Sequence, residues 1–170
     1  LIVLSATLMP LRADDNSDVS ALVAQAEQAL EAREYKRAAA AYSQAANQAD
    51  SVEIARKATR VGFTYGFNEE AEIAGKRWVK LDKQSKEARA YLGQIYFRLN
   101  DLRNSKKQYQ RLLKIDTDED PGKTVLELVD YLREERQPER AYELIRTLAK
   151  PYGESWFAQY AVAIVALQAG

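Results

Sequence analysis

The sequence predicts an all-α protein, a solenoid of stacked antiparallel helix hairpins. Three series of residues recur with a common period near 34. A hairpin of two short helices cannot bury its apolar face alone, so repeats of this length stack, and small residues let their helices approach closely. The small residues of the second helices are Ala38, Ala71, Ser105 and Ala141. A second series with the same spacing lies in the first helices and consists of Ala26, Thr59, Gly93, Val129 and Ala163. The turns between the paired helices fall at Arg33, Gly66, Asn100, Arg136 and Gly170.

The first element along the chain is an apolar run from Leu1 to Leu11, which ends in the polar stretch opened by Asp14. The run has the length of a signal-peptide core and is too short to span a bilayer, and Ala13 resembles a cleavage site. We therefore expect residues 1–13 to be a signal peptide and residues 14–18 a polar linker. The protein would then be exported, periplasmic or envelope-associated in a bacterium. The alternative is a buried apolar N-terminal segment.

The solenoid is expected over residues 19–170. Its repeats cover about 19–51, 52–85, 86–119 and 122–155, with a partial fifth over 156–170. The repeat signature consists of small and aromatic residues at helix crossings: Ala26, Ala38, Ala71, Gly93, Tyr96 and Ala141.

The third copy has the most complete pattern. Leu92 and Gly93 are followed by Tyr96, the turn Asn100 and Asp101, Tyr109, and the closing pair Ile115 and Asp116. This pattern closely resembles the tetratricopeptide repeat (TPR) family. The resemblance implies a right-handed superhelix that holds other polypeptides and carries no catalytic site of its own.

Composition narrows the chemistry further. The 25 Lys and Arg residues balance the 25 Asp and Glu residues, so no overall field attracts nucleic acid or anionic lipid. The chain has no Cys and no His, which removes the usual nucleophile, general base and zinc ligands. The acidic run from Asp116 to Asp120 lacks the ligand pattern of a calcium loop and is better interpreted as a linker ending in Pro121 and Gly122. No cofactor, metal or nucleic acid is expected, and contact with a membrane would be indirect.

The TPR resemblance implies that the first helices line the concave face and bind the partner. By register, this face carries Glu27 and then the candidate binding residues Arg56, Arg60, Phe63, Gln94, Phe97, Arg98, Asp130 and Arg133. Guanidinium groups suit carboxylates, and the phenylalanines are candidate apolar anchors. The alternative is an ordinary solvated helix face.

Two stretches, residues 55–63 and 75–101, are similar to envelope TPR lipoproteins of proteobacteria that deliver substrates to a carboxyl-terminal processing protease. The chain lacks the lipidation Cys of that family. The leading hypothesis is an envelope adaptor. The alternatives are the N-terminal targeting repeats of a longer enzyme, and an intracellular co-chaperone. The apolar helix over 156–170 is expected to be covered by further repeats or by a partner.

Overall fold

The computed structural model describes residues 13–170, with side chains from Ser17 onward. This part of the chain is helical throughout and contains no strand, which confirms the all-α solenoid. The helices run in order as α1 Ala13–Glu31, α2 Tyr35–Gln48, α3 Val52–Thr64, α4 Asn68–Leu81, α5 Lys86–Arg98, α6 Leu102–Ile115, α7 Pro121–Arg133, α8 Pro138–Ala149 and α9 Trp156–Ala169. A short 3₁₀ turn, Lys150–Tyr152, precedes α9.

Each first helix of a hairpin from α3 onward begins at a side-chain cap. The hydroxyls of Ser51, Ser85 and Ser155 accept hydrogen bonds from backbone N–H groups in the first turns of α3, α5 and α9. Asp120 accepts from the backbone N–H of Gly122 at the start of α7, and Pro121 supplies the first helical residue. These caps satisfy N–H groups that a helix leaves unpaired, so they fix where each hairpin begins.

The turn inside each hairpin contains one residue in the left-handed backbone region. The φ values are 60° at Arg33, 80° at Gly66, 63° at Asn100 and 53° at Arg136. In the first three hairpins the next residue donates its N–H to the carbonyl five residues back, as from Phe67 to Gly62 at 2.8 Å. This geometry stops one helix and reverses the chain into the next. The turn positions deduced from the spacing are thus confirmed.

In the third hairpin, α5 and α6 cross where a small residue meets a large one. A Cβ added at Gly93 would lie 2.7 Å from ring atoms of Tyr109, which is fully buried between α5 and α6. The other signature residues, Ala26, Ala38, Ala71, Tyr96 and Ala141, are also buried. Glycine at position 93 is therefore what lets α6 and its tyrosine approach α5.

Two apolar clusters form the core, and α5 contributes to both. The first lies in the N-terminal hairpins, is centred on Tyr42 and Trp78, and reaches Ala88 of α5. The second extends from Phe97 of α5 through α6, α7 and α8 to α9. The stack is therefore continuous across the chain, as expected of a solenoid whose units bury their faces on one another.

The segment interpreted as a polar linker, residues 14–18, is helical and belongs to the first turns of α1. Polarity indicates exposure and does not by itself end a helix, and no Gly or Pro interrupts the sequence from Ala13 to Glu31. The predicted signal peptide, residues 1–13, lies outside the described residues except for Ala13.

The last helix keeps a broad apolar surface. Trp156, Tyr160 and Leu167 are 62%, 47% and 86% exposed. Coverage of this surface by further repeats or by a partner stays a prediction. Among residues 13–170, no helix has both the length and the apolar character needed to cross a membrane.

Candidate partner-binding cleft

A cleft of about 640 Å³ separates two neighbouring first helices, α5 and α7. We call it the α5–α7 cleft. The loop 116–120 that joins α6 to α7 is longer than the loops at 49–51 and 82–85. The cleft is lined from α5 by Lys86, Glu87, Ala90, Tyr91 and Gln94, from α7 by Thr124, Glu127, Leu128 and Tyr131, and at its margins by Phe63, Leu112, Asp116, Asp118 and Glu134.

At the N-terminal ends of α5 and α7, Asp116 joins the two helices. Its carboxylate accepts hydrogen bonds from the Lys86 ammonium on α5 and from the Thr124 hydroxyl on α7. The Asp116 side chain is only 5% exposed. The Lys86 hydrogen bond, followed by that from Thr124, lowers the pKa of the Asp116 carboxyl group. This Asp116 bridge closes one end of the cleft.

Near the C-terminal ends, Glu135 joins the same pair of helices. The Gln94 amide donates to the Tyr131 carbonyl at 2.8 Å and to Glu135 Oε1 at 2.9 Å, and Arg98 Nε donates to Glu135 Oε2 at 2.7 Å. The Glu135 side chain is 7% exposed, so this charge is paired in a largely water-free position. The Glu135 bridge closes the other end, and the middle of the cleft is left open between the two bridges.

Helix α3 packs against α5 through aromatic contacts, and its residue Phe63 also lines the cleft. The Phe63 and Tyr91 rings meet edge to face at 5.3 Å. The Arg98 guanidinium lies 3.6 Å from the centre of the Phe63 ring and donates to the Phe63 carbonyl at 2.9 Å. Arg60 pairs with Glu87, whose hydrogen bond raises the pKa of the Arg60 guanidinium. The two arginines are therefore engaged within the protein.

The structure brings together Phe63, Gln94 and Arg98 from the predicted binding set. Gln94 is 7% exposed and Phe97 is fully buried in the second core cluster. Phe97 is therefore not an apolar anchor for a partner in this conformation. It lies next in sequence to Arg98, but successive helical residues point about 100° apart, and its side chain is directed into the core.

The remaining predicted residues lie outside the cleft. Arg56 is exposed on α3. Asp130 and Arg133 are exposed on α7 and pair with each other at 3.1 Å. Glu27 on α1 pairs with Lys57 at 2.8 Å. At Glu27, Arg56, Asp130 and Arg133 the structure therefore agrees with the alternative interpretation, a solvated helix face with local ion pairs.

Sequence reasoning missed several lining residues of the cleft, of which four are candidates for contact with a partner. These are Tyr91 on α5, Glu127 and Tyr131 on α7, and Glu134 beyond it. The signal was present in part, because Tyr91 precedes Gln94 by three residues and shares its helix face. On α7 the lining positions Glu127, Leu128 and Tyr131 follow the same helical spacing, displaced from the face of Asp130.

Within the described chain, no group of three or more acidic side chains is placed to hold a metal ion. In the acidic linker, Asp116 forms the bridge described above, Asp118 pairs with Lys123 at 3.3 Å, and Asp120 caps α7. Asp120 also accepts a 2.7 Å hydrogen bond from the Ser155 hydroxyl, so it ties the starts of α7 and α9 together.

Successive packed hairpins, left-handed turns and a cleft between first helices define a TPR-like helical-repeat fold. No family model and no curated protein sequence matches the chain. Among solved structures, that of the MamA protein, which contains TPR repeats, is similar with a TM-score of 0.54 and 16% identity, over 88% of this chain and 81% of MamA. At that identity the likeness is one of fold alone. A point mutant of the Thermobaculum terrenum O-GlcNAc transferase is similar over 85% of this chain and 28% of its own, with a TM-score of 0.45 and 18% identity.

Proposed function

We propose that the chain is a non-catalytic protein-protein interaction scaffold that binds a polypeptide segment in the α5–α7 cleft. The observation that carries the proposal is an open cleft bounded at both ends by hydrogen-bonded bridges. Its volume of about 640 Å³ falls in the range of sites that accept small ligands or a few side chains. The TPR-like fold supports a polypeptide as the occupant.

The middle of the cleft offers the groups that bind peptides well. Tyr131 is 45% exposed and Tyr91 is partly exposed, and an aromatic ring with a polar tip gives large contact area at low cost in conformational entropy. Ala90, which also lines the cleft, has a small side chain that takes up little of its volume. Carboxylates stand at the rim, where a partner's donors can reach them.

The bridges make the cleft a preformed site. The Asp116 and Glu135 bridges hold α5 and α7 at a fixed separation, so a partner need not pay to open the helices. Arg60 and Arg98, which the sequence suggested as partner contacts, are held by Glu87 and Glu135. The cleft, and not a row of arginines, is therefore the better candidate for the binding surface.

The test is a matched pair of truncations at exposed apolar residues. Tyr131 lines the cleft, and Ile73 on α4, which is 47% exposed, lies outside it. The wild-type chain and the variants Tyr131→Ala and Ile73→Ala are immobilised and exposed to a lysate of the source cells. The proteins that each one retains are quantified by mass spectrometry. Loss of a desolvated aromatic anchor costs about 2 kcal/mol or more, so Tyr131→Ala should reduce capture of the specific partner at least about tenfold. Ile73→Ala should leave capture unchanged.

Equal capture by Tyr131→Ala and wild type would reject the cleft as the binding surface. The exposed face of α9 is examined in the same experiment with Tyr160→Ala and Leu167→Ala. Loss of the partner in those variants alone would move the binding surface to α9.

The proposed place of action is the bacterial cell envelope, with the protein exported. The apolar run from Leu1 to Leu11, followed by Ala13 and a polar stretch, supports this. Fractionation of the source cells followed by N-terminal sequencing tests it. A mature chain beginning near Asp14 in the envelope fraction is expected, and an intact Leu1–Leu11 segment in the cytoplasm would contradict it.

A further inference from the structure

We infer that the α5–α7 cleft, whose lining includes Tyr91 and Tyr131, selects a partner segment that inserts a positively charged side chain, Arg or Lys. This inference rests on the proposed function and adds the chemistry of the occupant. It reverses the preference for carboxylates that a row of free arginines would give.

The charges around the cleft are predominantly negative. Lys86 is the one basic residue of its lining, against Glu87, Asp116, Asp118, Glu127 and Glu134. Three of these carboxylates are paired, Asp116 with Lys86, Glu87 with Arg60 and Asp118 with Lys123. Neither Glu127 nor Glu134 takes part in any of the ion pairs found among the described residues. Two negative charges of the lining are therefore left uncompensated, and they attract cations and repel acidic segments.

The aromatic walls suit the same ligand. A guanidinium or ammonium over a tyrosine ring gains cation–π attraction, and the gain increases where water is excluded. One such contact already exists beside the cleft, because the Arg98 guanidinium lies 3.6 Å from the centre of the ring of Phe63, a residue of the cleft lining. Tyr91, Tyr131, Glu127 and Glu134 all line the same cleft. An entering Arg or Lys would thus meet aromatic side chains and carboxylates together.

The test begins with selection of random displayed peptides on the purified chain, followed by fluorescence anisotropy titration of the tightest binders. Arg or Lys should be enriched among the retained peptides, and their binding should weaken as salt rises. The double variant Glu127→Gln/Glu134→Gln should weaken a basic peptide by about two- to thirtyfold and reduce its salt dependence. The control Glu143→Gln/Glu154→Gln makes the same charge change away from the cleft and should change the affinity by less than about twofold. Circular dichroism checks that both variants are folded.

The outcomes distinguish a failure of this inference from a failure of the proposed function. Retained peptides with no basic enrichment, or with acidic enrichment, would overturn the inference. So would a basic peptide that binds the folded double variant as tightly as wild type. In either case the proposed function stands if Tyr131→Ala still abolishes peptide binding. If no peptide is retained above the bare support, the proposed function itself is overturned.

Discussion

At the scale of single residues, glycine 93 shows how a repeat position acts through the space it leaves. A Cβ there would lie 2.7 Å from Tyr109 Cε1 and Cζ, closer than real contacts allow. The tyrosine ring is held in a filled core and has little room to shift. The size of the Tyr109 ring therefore requires glycine at position 93, and the low helical propensity of glycine matters less.

Gly93→Ala should accordingly destabilise the protein by about 1–3 kcal/mol, because overpacking outweighs the usual gain of alanine in a helix. Gly153→Ala is the control. Its nearest neighbour would be the Lys150 carbonyl at 3.9 Å and its backbone is compatible with alanine, so that change should be neutral or stabilising by about 0.4–1 kcal/mol. Urea unfolding followed by circular dichroism measures both. Equal stability of Gly93→Ala and wild type would show that α5 and α6 are not in close contact here.

At the scale of elements, the hairpins and their turns could be predicted from the sequence, whereas the cleft could not. The turns at Gly66 and Asn100 follow from a local requirement for left-handed backbone, which spacing reveals. Glu135 lies 37 residues beyond Arg98, and nothing local links the two. The step from the third repeat to the fourth is 36 residues, both from Asn100 to Arg136 and from Gln94 to Asp130, yet only Gln94 lines the cleft, so equivalent positions in the two repeats do not face the same space.

The Asp116 bridge joins α5 to α7, and its contribution to stability should depend on pH. Because the pKa of Asp116 is lowered in the folded state, its contribution is fully present above the unfolded value of about 3.9 and is lost as pH falls through the folded value. Asp116→Asn should cost about 1–2 kcal/mol at pH 7, and its difference from wild type should shrink as the pH is lowered below about 4.

The matched control for the bridge is Asp118→Asn. Asp118 is 40% exposed and its pair with Lys123 spans 3.3 Å, so its loss should cost less than about 0.5 kcal/mol. Both variants are measured by urea unfolding across the pH range. An Asp116→Asn penalty that stays constant to low pH would show that the carboxylate is not charged and bonded as the structure has it.

At the scale of the whole molecule, the chain is a continuous stack in which α5 belongs to both core clusters and forms one wall of the cleft. Helix positions are set by burial on each side, so the site is rigid without a dedicated domain around it. The central claim is that this stack uses the gap between α5 and α7 to hold a polypeptide.

The most direct measurement of that claim is an NMR titration of the isotopically labelled chain with the tightest peptide from the selection described above. Amide signals of α5 and α7 around Tyr91, Glu127 and Tyr131 should shift first and most, because those helices form the walls of the cleft. Signals of α4 around Ile73 should stay in place. Shifts confined to α9 around Tyr160 and Leu167, with α5 and α7 unchanged, would contradict the account.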